Sequence, residues 1–168
     1  MPSLPVVEVF LRLLTALACG AVIGLNRDLH HKSAGFRTFG LVSLGAAAVT
    51  LLTMRMPGSS ADAVSHVIQG VVTGIGFLGA GVILHRAAPV KVSGLTTAAA
   101  VWLTAGLGVA AGAGQFAIAW VSMALAMALL ICGGAVERRL EELLGGDRRT
   151  RGDPVRGSAI VEDDAGDA

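Results

Sequence analysis

One stretch of this chain matches a pattern that binds nucleotide cofactors. Residues 74–79, GIGFLG, fit GxGxxG, in which glycine backbone between a strand and a helix approaches the pyrophosphate of a dinucleotide. That chemistry also needs an acidic residue roughly 20 positions further on, to hold the ribose. The chain has no Asp or Glu between Asp62 and Glu137. The sequence therefore argues against a nucleotide site, and we expect no cofactor.

Residues for metal binding or catalysis are also scarce. Mg²⁺ prefers oxygen ligands, usually one or two carboxylates together with retained waters, and residues 63–136 contain no carboxylate. No serine stands in a recognisable activating setting, and the histidines lie at loops or at the ends of apolar runs: His30, His31, His66 and His85. We expect neither a metal site nor an enzyme.

A further set of polar and small residues forms a candidate functional cluster. It consists of Arg27 and Asp28 after the first apolar run, Arg37 and Thr38 at the start of the second, and Gly94, Thr96 and Thr97 at the start of the fourth. If these runs are membrane helices, the cluster lies on one side of the membrane. Two interpretations of Arg37 stay open: a snorkelling anchor, or a buried ion-pair network that ties the first loop to the fourth helix.

The composition indicates that these residues belong to a membrane protein. Apolar residues make up 54% of the 168-residue chain and charged residues 15%, against about 25% charged residues in soluble domains. A helix of about 20 apolar residues crosses a bilayer. Five segments qualify, at about 4–25, 39–54, 67–84, 95–111 and 116–136. These runs are continuous rather than alternating, which disfavours strands.

We therefore predict an all-α bundle of five transmembrane helices over residues 1–136, followed by a cytoplasmic amphipathic turn and a disordered tail at 137–168. Placing the first and third loops and the tail in the cytoplasm puts every Lys and Arg there except Arg12 and Arg55. This is the positive-inside pattern, so the amino terminus is predicted outside and the carboxyl terminus inside. Residues 1–7 lack the basic opening of a signal peptide, so we expect the first span to stay.

Glycines predict close packing of the helices. In lipid, helices associate through small residues and interhelical hydrogen bonds rather than through a hydrophobic driving force. The third span carries glycines on two faces, which suggests that it is the central helix; a hinge that exposes backbone carbonyls is the alternative. The predicted packing residues are Gly20 and Gly24 in the first span and Gly70, Gly74, Gly76, Gly79 and Gly81 in the third.

Four motifs in this chain resemble, in order, those of the MgtC/SapB membrane protein family. They are GLNRD at 24–28, AGFRT at 34–38, GIGFLGAGVI at 74–83, and GLTTAA at 94–99 with Trp102 beyond it. The resemblance covers about residues 8–136 and implies a multi-pass protein of the bacterial inner membrane, linked to magnesium homeostasis and to acid or intracellular stress. Two departures stand out. Asn26 replaces the usual Glu, and a short tail stands where many members carry a soluble C-terminal domain.

These observations favour a protein that binds a partner over one that catalyses a reaction. We expect a non-enzymatic regulator that lies in the lipid bilayer, contacts another membrane protein such as a transporter or an ATPase, and binds no nucleic acid; a homo-oligomer is compatible with this. The alternative is a small transporter or channel for Mg²⁺ or another cation. In that case Thr96, Thr97 and backbone carbonyls would line a weak path through an oligomer.

Overall fold

The computed structural model of the protein describes residues 5–84 and 94–143, which form five α-helices without any strand. The helices are α1 (Val6–Leu29), α2 (Phe36–Arg55), α3 (Ala61–Leu84), α4 (Leu95–Gly112) and α5 (Phe116–Leu143). Each is long and apolar enough to cross a membrane. The prediction of an all-α protein with five membrane-spanning helices is confirmed.

Helices α1, α2 and α3 extend three or more residues beyond their predicted apolar runs. Helix α1 continues to Leu29, so that Asn26 and Arg27 lie on a helix rather than in the first loop. Helix α2 begins at Phe36 and α3 at Ala61, several residues before their predicted starts. Polar side chains at the ends of a membrane helix can reach the interface while the backbone stays helical. The apolar run is therefore shorter than the helix.

The chain divides into two compact units, Met1–Ile131 and Cys132–Ala168. The contacts between helices and the cavities that bear on function lie in the first unit. In the second, α5 continues as far as Leu143. The tail that the sequence predicts to be disordered lies outside the described residues.

Helices α2 and α4 form the centre of the first unit. Helix α4 contacts α1, α2 and α3, and half of its 18 residues are buried. In α3, by contrast, Ile75 and Gly79 are the only buried residues among those whose burial the structure describes. The prediction that the third span is the central helix is wrong, because glycine content alone does not tell an inward-packed helix from one that presents small residues outward.

Glycines bring the backbones of α1 and α2 into contact. A Cβ atom on Gly20 would lie 2.5 Å from the Phe39 carbonyl oxygen, and one on Gly24 would lie 2.7 Å from the Phe36 Cα. Cβ atoms essentially never approach other heavy atoms closer than 3.0 Å. Gly20 and Gly24 thus occupy a helix–helix contact where a larger residue would force the helices apart.

Glycines also bring the backbones of α2 and α4 into contact. A Cβ atom on Gly112 would lie 2.5 Å from the Ala47 carbonyl oxygen, and one on Gly108 would overlap the Ser43 carbonyl oxygen. Neither glycine was predicted to pack. The signal was present, since Thr104, Gly108 and Gly112 repeat a small residue at every fourth position.

Four of the five glycines of α3 do not pack against the described residues of one copy of the chain, contrary to expectation. Around the Cβ positions of these four, no heavy atom of the described residues lies within 4 Å: Gly70, Gly74, Gly76 and Gly81. At Gly79 the nearest atom is the Ala98 Cβ, 3.7 Å away. Helix α3 contacts α4 and, to a smaller extent, α2, and within the described part of the chain most of its glycines stay uncovered.

Candidate functional site

Two arginines of α1 hold α4 at its opposite ends. The Arg27 Nη2 donates a hydrogen bond of 3.1 Å to the Thr97 Oγ1, joining side chains 70 residues apart in the sequence. The Arg12 Nη1 donates one of 3.0 Å to the Gly112 carbonyl oxygen, and its Nη2 forms an ion pair with Glu8. Carbonyls in the last turn of a helix lack an intrahelical donor, and a cation complements the negative end of the helix dipole.

Arg27 is a buried cation without a carboxylate partner among the described residues. Its side chain is only 5% exposed, and its Nε has no hydrogen-bond partner there. The neighbouring Asn26 is 8% exposed, and its Oδ1 is likewise unpartnered. Burying an unpaired charge or polar atom is costly. This end of the first unit therefore carries positive charge that the described residues do not neutralise.

A polar cavity of about 110 Å³ lies beside this arginine, where the ends of α1, α3 and α4 meet. It is lined by Arg27, Lys32, Ser33, Val82, Gly94, Thr96 and Thr97. Gly94 is the N-cap of α4 with φ +99°, a backbone conformation that favours glycine. The first helical bond of α4 is donated by the Ala98 N–H to the Gly94 carbonyl oxygen, so the three N–H groups before Ala98 have no intrahelical acceptor.

The structure brings together only part of the predicted polar cluster. Arg27, Gly94, Thr96 and Thr97 line the cavity, with Thr97 2% exposed. Lys32, Ser33 and Val82 also line it. Val82 belongs to the motif at 74–83, but none of the three was predicted to line a site.

The remaining members of the predicted cluster lie elsewhere. The Asp28 Oδ2 accepts a hydrogen bond of 2.8 Å from the Phe36 N–H and so caps the start of α2. Arg37 and Thr38 are exposed on the first turn of that helix. The hypothesis that Arg37 belongs to a buried ion-pair network is wrong. The link to the fourth helix is made by Arg27, because the extra turn of α1 carries this side chain to α4.

A second candidate site is a polar stripe on α3. Ser65, Gln69 and Thr73 follow one another at every fourth position, and all three are exposed. The Gln69 Nε2 donates a hydrogen bond of 3.2 Å to the Ser65 Oγ. At a rise of 1.5 Å per residue, Gln69 lies about 12 Å and Thr73 about 18 Å along the helix from Ala61. Both therefore lie inside the candidate membrane span Ala61–Ile83.

Three glycines and one phenylalanine lie beside this stripe. At about 100° per residue, Gly70, Gly74, Phe77 and Gly81 share one sector, which faces away from the buried Ile75. Phe77 is 83% exposed. We call the surface formed by the stripe and this sector the outer face of α3: Ser65, Gln69, Gly70, Thr73, Gly74, Phe77 and Gly81.

Comparison with known proteins identifies relatives over most of the described chain. The sequence model of the MgtC family matches residues 13–139. Protein SrpB of Synechococcus elongatus is 49% identical over 113 residues, covering 61% of this chain and 62% of that protein. Protein MgtC of Salmonella typhimurium is 45% identical over 106 residues, which are 63% of this chain and 44% of that protein. Protein MgtC of Brucella abortus is 37% identical over 137 residues, or 82% and 54%.

The chain spans about half the length of the curated relatives it matches, and no solved structure matches it. The family match extends from within α1 to beyond the apolar part of α5, and so includes the cavity and the outer face of α3. The resemblance seen in the four sequence motifs is confirmed: the chain is a multi-pass membrane protein that belongs to the MgtC family.

Proposed function

We propose that the protein is a non-enzymatic regulator of the bacterial inner membrane, which acts by binding a transmembrane helix of another membrane protein. The binding surface is the outer face of α3. The observation that carries this proposal is the exposure of Gln69 and Thr73 inside the candidate span Ala61–Ile83, next to glycines without a described heavy atom within 4 Å of their Cβ positions. The setting is the one that the family resemblance implies, magnesium limitation or acid and intracellular stress.

The polar stripe supports a protein partner because lipid cannot satisfy it. A glutamine amide offers two donors and an acceptor oxygen, and among the described residues the Gln69 Nε2 has one bond, to the Ser65 Oγ. Polar groups inside the hydrocarbon are costly, and they almost always face protein or water. A partner helix with its own polar side chain would complete these hydrogen bonds.

The glycine sector supports the same conclusion on steric grounds. Bare backbone at Gly70 and Gly74 allows a second helix to approach closely, which is how small residues drive association in membranes. The exposed ring of Phe77 stands between Gly74 and Gly81 and adds an apolar anchor. Aromatic residues, Phe among them, are enriched in the buried cores of protein interfaces.

A matched pair of substitutions tests the proposal. Gly74→Leu fills the outer face of α3, whereas Gly45→Leu adds the same side chain to an exposed helical position of α2; neither Cβ position has a heavy atom within 4 Å. We expect Gly74→Leu to reduce recovery of one and the same partner from native membranes about tenfold, a loss of ~1.4 kcal/mol. Gly45→Leu should leave recovery unchanged. Equal recovery with both variants would contradict the assignment of this face.

Cation conduction is a second candidate, favoured by the same polar stripe. Several copies arranged around an axis would place Gln69 and Thr73 along a shared path, where their oxygens could contact a hydrated ion. Thr97, which the sequence suggested as a residue lining an ion path, is instead buried and hydrogen-bonded to Arg27. We expect liposomes that contain the protein to show no more Mg²⁺ flux than empty liposomes. Robust flux that Thr73→Val abolishes would favour the channel instead.

A further inference from the structure

The described residues that line the cavity beside Arg27 carry positive charge, and none of them is acidic. Arg27 is 95% buried with its Nε unpartnered among the described residues, and Lys32 lines the same cavity from an exposed position. The nearby Asp28 carboxylate is bonded to the Phe36 N–H. The connection at residues 85–93 cannot supply a carboxylate, because its sequence contains no Asp or Glu. An anionic ligand would supply a counter-charge that neither the described residues around this cavity nor residues 85–93 provide.

The start of α4 adds neutral donors to the same cavity. Gly94 provides no side-chain cap, and the N–H groups of the first turn are left without intrahelical partners. The N-terminus of a helix is also the positive end of its dipole, which favours phosphate groups. The volume of about 110 Å³ is several times the roughly 10–15 Å³ that one water requires.

An apolar groove adjoins this polar cavity. Thr96 lines both the polar cavity and a second cavity of about 130 Å³. The other residues that line the second cavity are all apolar, and they include Ile23 of α1, Leu103 of α4 and Leu129 of α5. A polar cavity next to an apolar groove matches a molecule with an anionic head and a hydrocarbon chain. The ends of α1 and α4 lie where membrane spans meet the headgroup region.

We propose that the polar cavity binds the phosphate group of an anionic phospholipid, and that one acyl chain of this lipid lies in the adjoining groove. Arg27 is the buried charge of the site, Lys32 the outer charge, and Thr96 the point where head and chain meet. This inference goes beyond the proposed function and does not depend on it. The lipid site lies at the ends of α1 and α4, whereas the partner is bound by the outer face of α3.

Titration of the detergent-solubilised full chain with a short-chain lipid tests the proposal. The probes are dioctanoyl phosphatidylglycerol and, as the zwitterionic control, dioctanoyl phosphatidylcholine. We expect the intact chain to bind phosphatidylglycerol about tenfold more tightly. Because charge-assisted hydrogen bonds are the strong ones, Lys32→Gln should reduce this preference to about threefold or less, and Arg27→Gln should abolish it. Arg37→Gln, an exposed arginine outside the cavity, should keep it.

Two further measurements distinguish binding of the lipid phosphate from binding of the acyl chain. Ala99→Phe fills the apolar groove from an exposed position, and it should weaken lipid binding while leaving competition by inorganic phosphate intact. Acetate at the same ionic strength should compete less than phosphate does. If Arg27→Gln does not fold, Lys32→Gln decides, since its side chain is exposed.

Three results would overturn the proposal. One is an equal affinity for the two lipids in the intact chain. Another is a preference for phosphatidylglycerol that survives both Lys32→Gln and Arg27→Gln. The third is binding of inorganic phosphate without any preference between the lipids, which would keep the phosphate site but remove the lipid as its source. Loss of partner binding in Gly74→Leu would not affect these results, so the two proposals fail separately.

Discussion

Replacing Gly108 with alanine perturbs the contact on which the centre of the bundle depends. The new Cβ would overlap the Ser43 carbonyl oxygen and lie 3.0 Å from the Ala46 Cβ. Because the first of these atoms belongs to the backbone of α2, no side-chain rotation can relieve the overlap. Gly106, on the same helix, is the matched control: it is exposed, and its Cβ position has no heavy atom within 4 Å.

The magnitudes follow from two opposing terms. Overpacking a well-packed interface costs about 1–3 kcal/mol, and a contact with backbone belongs at the upper end of that range. Alanine in a helix gains about 1 kcal/mol over glycine. We expect Gly108→Ala to lose about 2 kcal/mol of unfolding free energy and Gly106→Ala to gain up to about 1 kcal/mol, a difference of about 3 kcal/mol.

The assay is reversible unfolding in mixed micelles with an increasing fraction of denaturing detergent, followed by circular dichroism. The intact chain and the two variants are compared under identical conditions, so that intrinsic helix propensity is common to both substitutions. Equal stability of Gly108→Ala and Gly106→Ala would refute the close approach of α2 and α4, and with it the assignment of α4 to the centre.

Three other substitutions have outcomes that thermal unfolding in the same detergent can measure. Thr97→Val removes the acceptor of the Arg27 Nη2 and should cost about 1–3 kcal/mol; an unchanged midpoint would show that this bond does not hold α4. Arg37→Ala should change stability by less than about 0.5 kcal/mol, because the side chain is exposed, and a large loss would revive the buried ion-pair hypothesis. Asp28→Ala leaves the Phe36 N–H uncapped and should cost about 1 kcal/mol, so full retention of stability would argue against the cap.

The five helices were predictable from the sequence because membrane insertion depends on a property that is local in the chain. About 20 consecutive apolar residues suffice, whatever the neighbouring helices are. The ends of the helices were harder to predict from the sequence. Arg27 looks like a loop residue by its charge, yet α1 continues through it to Leu29, because its side chain finds a hydroxyl on α4 instead of water.

Which glycines pack could be predicted only in part. The spacing of Gly20 and Gly24 indicates a helix that can be approached closely, and α2 does approach it there. The same argument applied to Gly74 and Gly81 identifies an equally accessible surface, but none of the five described helices comes within 4 Å of it. Spacing shows that a face permits contact. It does not show which helix, from this chain or another, makes the contact.

The cavity was the least predictable feature. Its residues come from α1, α3, α4 and the connection between α1 and α2, so their proximity depends on how the helices are assembled. Arg27 and Thr97 are 70 positions apart, and nothing in their spacing links them. Lys32 and Val82 belong to no motif that pointed to a site. The sequence predicted only that some of these residues lie on the same side of the membrane, because successive spans cross it in alternating directions.

The central claim is that the outer face of α3 binds a helix of another membrane protein. It is tested most directly by placing a photo-crosslinking amino acid at Gln69 or Thr73 in intact membranes, with Gly45 as the control position, and identifying the products by mass spectrometry. The account predicts a discrete adduct with one other membrane protein from the two α3 positions, which Gly74→Leu removes, and none from Gly45. Adducts with lipid alone, or with a second copy of this 17.0 kDa chain alone, would contradict it.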